Sequence, residues 1–162
     1  MTIALNRRGE VAVRDPSELV DAETWETVTT YLAKHMAVTK AYAERMFGQT
    51  LVFLKASVDS RRDPAHKGFL MPDGRRYRVV PDHSVDPGWH AFLQHSELYT
   101  RFCQSQGLGF IHHRPYLAEE MLNGTALEAT VAAVRATGYR VDLEFWSSGT
   151  SCCPPECNDM GG

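Results

Sequence analysis

The segment Val85–Pro115, VDPGWHAFLQHSELYTRFCQSQGLGFIHHRP, carries four of the chain's seven histidines and one of its four cysteines. Imidazole and thiolate groups bind transition metals and act as bases or nucleophiles near neutral pH. Asp86 stands four residues before His90, so on a helix the two side chains meet on one turn. A carboxylate beside an imidazole fixes its tautomer and raises its basicity, as needed behind a metal ligand or in a general base. The ordinary alternative is a helix-start ion pair of little consequence, and the sequence leaves both open.

Spacing restricts how these side chains combine. His90 and His95 lie about 140° apart around a helix of 3.6 residues per turn, a poor bite for one ion; spacings of three or four serve better. Cys103 falls roughly 20 Å beyond His90 along a continuous helix, and ligand bonds of about 2.0–2.3 Å cannot bridge that gap. His95 shares the apolar face with Phe92 and Tyr99 and is expected to be a core histidine bonded to a backbone carbonyl.

After Gly107 and Gly109 the text GFIHHRP reads as extended, where neighbouring side chains point to opposite sides. One of His112 and His113 therefore faces inward. If the chain doubles back, the economical site is Asp86, His90 and one of that pair, with His83 as a further candidate from the preceding loop. Two imidazoles and a carboxylate suit zinc or non-haem iron. Cys152, Cys153 and Cys157 form a separate cluster around Pro154-Pro155 that could wrap a soft ion such as Cu(I) or Zn(II). A reduced tail without a metal is the equal alternative there.

The elements that must position these residues are mostly helical. Trp25, Val28 and Leu32 make one stripe at helical spacing. Thr39 is a candidate N-cap for a second helix with Ala43, Met46, Phe47, Thr50, Leu51, Leu54 and Val58 on its apolar face. Residues 59–84 hold prolines, glycines and an Asp-Gly step, predicting a loop with a short hairpin that forms a wall over whatever lies beyond. Asp86 and Pro87 predict the start of a helix running to about Ser105, with Asp86 as its cap. A last helix is expected across residues 117–138, broken at Asn123-Gly124, recapped by Thr125 and stopped by Gly138. Tyr139, Val141, Leu143 and Phe145 alternate as a strand would.

The fold expected is mainly α: a single helical domain over residues 1–146 with a minor β element, and a flexible Cys-rich tail over residues 147–162. A formal net charge of -3, with Lys and Arg dispersed, lacks the basic footprint of a nucleic-acid binder. No stretch approaches the ~20 apolar residues of a membrane span, and no apolar signal-like region opens the chain. A cytoplasmic location follows as the expectation, with thiols kept reduced.

The text VDPGWHAFLQHSELYTRFC followed by GFIHHRP resembles the glycine-rich domain-containing protein-like family. These bacterial and plant proteins carry a Val-Asp-x-x-Trp-His segment, a downstream Tyr and Cys, and, in bacterial members, a closing His-His-x-Pro. The matching positions are Val85, Asp86, Trp89, His90, Tyr99, Cys103, His112, His113 and Pro115. Bacterial members often end in a tail rich in Gly and Cys; here the cysteines are present and glycines few. The resemblance implies that the nine positions act as a unit and implies no particular activity.

The functional expectation is a cytosolic metal-binding protein with a histidine–carboxylate site near the start of the Asp86 helix and a separate thiolate site in the tail. The rivals are a non-catalytic module that binds a protein partner and uses these histidines structurally, and a precursor or carrier whose Cys-rich end is modified. Whether the chain is an enzyme stays open.

Overall fold

The computed structural model describes residues 13–61, 68–77, 79–113 and 124–149. Within them the chain is mainly helical, as the sequence predicts: α1 (Ala22–His35), α2 (Lys40–Arg61), α3 (Asp86–Gln94), α4 (Ser96–Ser105) and α5 (Thr125–Ala136). Short 3-10 turns span Pro16–Leu19 and Leu143–Trp146. Strands β1 (Phe69–Leu70) and β2 (Arg76–Tyr77) pair antiparallel, Phe69 opposite Tyr77, across a turn in which Gly74 takes φ 81°. No helix among the described residues is long and apolar enough to cross a membrane.

Local signals account for the helix starts. The Asp21 carboxylate accepts the Thr24 N–H at 2.7 Å at the head of α1, and the Thr39 hydroxyl accepts the Tyr42 N–H at 3.1 Å at the head of α2. Each satisfies a donor that has no partner within its own helix.

The stripe read on α2 is too narrow. Val52, Phe53 and Ala56 are buried as fully as Phe47, Leu51 and Leu54, because α2 is wrapped by α1, α3, α5 and the first 3-10 turn. A helix covered on several sides is apolar around most of its circumference. It is the axis of the fold rather than one wall.

Two further expectations are corrected. The helix expected from Asp86 to Ser105 breaks at His95, whose φ -88° and ψ 64° are not helical. The alternating text after Gly138 does not form a strand. Tyr139 makes an isolated bridge to Arg14, and the chain then turns to bury Phe145 and Trp146 together while Leu143 stays exposed. Gln49 on α2 fixes that turn: its amide oxygen accepts the Asp142 N–H (3.1 Å) and the Trp146 indole N–H (2.9 Å). With no neighbouring strand among the described residues, side-chain alternation alone cannot hold an extended conformation.

α5 begins at Thr125, with Gly124 at φ 81° in the cap position, so Thr125 starts the helix rather than capping it. The helical text before Asn123 and the tail cysteines lie outside the described residues.

Candidate metal centre

The loop entering α3 is organised by Asp82, which is fully buried. One carboxylate oxygen accepts the Ser84 N–H (2.8 Å); the other accepts the Ser148 hydroxyl (2.8 Å) and N–H (3.3 Å). Its backbone carbonyl accepts the N–H groups of Val85 (2.9 Å) and Asp86 (3.1 Å). Asp82 thus starts the turn that presents Asp86, and it also ties residue 148 to that turn.

α3 lies against α2 through Gly88. A Cβ at this position would overlap the Thr50 hydroxyl oxygen, whose single hydrogen is shared between the carbonyls of Met46 (3.1 Å) and Val85 (3.2 Å). Only glycine permits this approach.

Asp86 is the first helical residue, and α3 has no side-chain cap. The expectation of Asp86 as a cap is therefore overturned: both its oxygens are turned toward imidazoles. Oδ2 lies 3.0 Å from His90 Nε2, one turn along the helix, and Oδ1 lies 3.0 Å from His113 Nε2. The carboxylate, 5% exposed, stands at a helix amino terminus, where backbone N–H dipoles favour negative charge.

His113 arrives because the chain reverses. His95 ends α3, and its Nδ1 contacts the Ala91 carbonyl at 2.8 Å, the backbone-bonded role expected of it. α4 then packs against α3, with the rings of Tyr99 and Phe102 on Phe92 at 5.1 and 5.6 Å. Gly107, at φ 76°, turns the chain into an extended stretch, and the Leu108 N–H returns to the Cys103 carbonyl at 3.0 Å. Along that stretch Ile111 is buried and His113 half-buried, whereas Phe110 and His112 are exposed and pack on each other at 4.9 Å. Alternation therefore selects His113 of the pair.

Two aromatic side chains fix the returning segment. The Trp89 indole N–H donates to the Tyr99 hydroxyl (3.0 Å), and that hydroxyl donates to the Ile111 carbonyl (2.6 Å). The Trp89 ring also lies against the His113 ring, centroids 4.4 Å apart.

The three side chains converge on one point. His90 Nε2 and His113 Nε2 are 2.9 Å apart, with their rings edge to face. An imidazole nitrogen offers a single in-plane site, either an N–H or a lone pair. Three short contacts among two such nitrogens and one carboxylate cannot all be straight hydrogen bonds. If both Nε2 atoms give their hydrogens to Asp86, none remains for the contact between them. His90 titrates above the ordinary imidazole value: its hydrogen bond to Asp86 and the attraction of that charge outweigh the opposing effect of burial. Side-chain exposures of 18% for His90 and 14% for His113 leave both rings in touch with solvent.

Among the described residues, Asp86, His90 and His113 form the group that could hold a metal ion. His112, His83 and His95 lie outside it, as does Cys103, a buried thiol whose pKa is raised by burial. Cys152, Cys153 and Cys157 fall outside the described residues. Sequence reasoning missed Asp82 and read Thr50 only as one position on the apolar face of α2. Asp82-His83-Ser84 does carry the Asx-turn signal, an Asp whose carboxylate can take the N–H two residues on. Nothing in the sequence announces that Thr50 touches Gly88.

Comparison with protein-family models, with curated proteins and with solved structures finds no match for the chain.

Proposed function

We propose that the chain is a metal-binding protein whose ion is held by Asp86, His90 and His113. The observation that carries this reading is the convergence of three donors at 2.9–3.0 Å in a pattern that protons alone cannot satisfy. One cation shared by all three would use both nitrogen lone pairs and the carboxylate charge at once. Two imidazoles and a carboxylate are a donor set for zinc or iron(II). Such an ion, when bound, supplies Lewis acidity or lowers the pKa of a coordinated water. Asp86, Trp89, His90, Tyr99 and His113, all positions of the glycine-rich domain-containing protein-like pattern, touch one another here, which supports reading that pattern as one unit. The free thiol of Cys103 fits a reducing cytoplasm.

Elemental analysis of untagged protein tests the proposal. Stoichiometric zinc or iron in the wild type, retained after truncation at Ser148 and lost in His90→Ala, is the expected result. Metal lost only on truncation would move the site to the tail cysteines. Metal in none of the proteins, with a melting temperature indifferent to added ions, would favour the module whose histidines are structural and whose partner is another protein.

A further inference from the structure

We infer that Tyr99 is the positioning residue for the third ligand, and that Trp89 and Tyr99 together form a buried clamp holding His113 opposite Asp86 and His90. The inference rests on the metal-site reading above and adds what makes that site. Asp86 and His90 come from one turn of α3, and the helix alone sets their relation. His113 belongs to an extended segment outside any helix or strand. Backbone pairing from secondary structure therefore does not set where its ring lies.

Among the described residues, the contacts that do are few and specific. The Tyr99 hydroxyl donates to the carbonyl of Ile111, two residues before His113 and on the same face of the extended segment. That hydroxyl in turn receives the Trp89 indole N–H, so both its hydrogen and its acceptor side are used. Trp89 follows Asp86 by three residues and precedes His90, and its ring lies against His113. The clamp thus references His113 directly to the helix that bears the other two donors. Tyr99 is fully buried and edge-packed on Phe92 at 5.1 Å, which leaves its ring little freedom to follow a shifted ligand. Cobalt(II), a spectroscopic substitute for zinc or iron, reads this arrangement directly, because its visible bands report ligand geometry.

Cobalt(II) titration of the untagged full chain separates positioning from mere stability. Tyr99→Phe keeps the ring and removes the hydroxyl. Its affinity should fall about tenfold, the lower end of the ~10–100-fold effect typical of outer-shell partners, and its visible spectrum should change. Trp89→Phe keeps an aromatic face for His113 but loses the donor, and should show a smaller loss of the same kind. Gln49→Met removes buried hydrogen bonds to residues 140–146 and should lower the melting temperature while leaving affinity and spectrum unchanged. Tyr99→Phe matching the wild type in both, or matching Gln49→Met in affinity loss, overturns the clamp. Should the wild type bind neither cobalt nor zinc, the metal-site reading fails by itself, and the clamp is then judged in the metal-free protein. A Trp89–His113 ring cross-peak in the NMR spectrum that disappears in Tyr99→Phe supports it; one that persists overturns it.

Discussion

Replacing Gly88 by alanine tests how α3, and with it two of the three donors, is seated on α2. Two effects oppose each other. Alanine favours a helix over glycine by up to ~1 kcal/mol, so an exposed site would gain stability. Here the new methyl group would overlap the Thr50 hydroxyl, and Thr50 is fully buried in α2. Overpacking of this kind costs about 1–3 kcal/mol, and displacing α3 also loses the Thr50–Val85 hydrogen bond, worth ~1 kcal/mol. The propensity gain roughly offsets the lost bond, leaving a net destabilisation of about 2 kcal/mol, set by the overpacking.

In a domain of this size that lowers the melting temperature by roughly 4–8 °C. Thermal unfolding followed by circular dichroism measures it, and a double-mutant cycle assigns the cause. Thr50→Ala removes the obstructing hydroxyl and its bond to Val85 together, so in that background Gly88→Ala keeps only its helix-propensity gain of up to ~1 kcal/mol, a coupling of up to about 3 kcal/mol between the two sites. Gly88→Ala proving as stable as the wild type, or strictly additive with Thr50→Ala, would refute the close approach and the placement of α3 that depends on it.

Three other outcomes are expected. Asp86→Asn should abolish metal binding and lower the His90 pKa toward about 6.5, because the charge is gone and only a weaker, neutral acceptor remains while burial persists; NMR titration of the His90 ring reads it. In the metal-free protein the raised His90 pKa stabilises the fold fully below pH ~6.5 and loses that contribution as pH climbs through the folded-state value. Metal affinity runs the other way, weakening as the pH drops and protons compete for the ring; unfolding midpoints against pH, with and without zinc, show the two opposite slopes. Asp82→Ala should cost about 1–2 kcal/mol in urea unfolding, because the bonds that the buried Asp82 carboxylate accepts from half-buried Ser84 and exposed Ser148 are lost.

Much of the centre is legible in the sequence, and the reason is local. The four-residue spacing of Asp86 and His90 needs only a helix to bring them together, and alternation alone divides His112 from His113. The return of the chain was inferred from glycines and confirmed in the contact of His113 with Asp86. What sequence could not supply was the break at His95. The apolar spacing of Phe92, Tyr99 and Phe102 is compatible with one helix or with two that fold against each other, since both bury the same residues. The alternating Tyr139–Phe145 text failed for a related reason: a strand requires a partner, and its pairing is a property of distant chain. Tertiary surroundings likewise turned the single stripe of α2 into a helix buried on several sides.

The kink at His95 has a consequence for when the centre can exist. Without it α4 would continue away from α3, and His113, which lies 27 positions beyond Asp86 in the chain, could return only if the segment after Ser105 were almost fully extended. Of the three donors, an unfolded chain, or an isolated peptide of α3, thus offers an ion only Asp86 and His90 as near neighbours. A metal that prefers all three discriminates between the folded and unfolded chain and stabilises the former by mass action, ~2.7 kcal/mol at a free concentration of a hundred times its Kd. Ion occupancy then becomes a gauge of whether the two helices have closed.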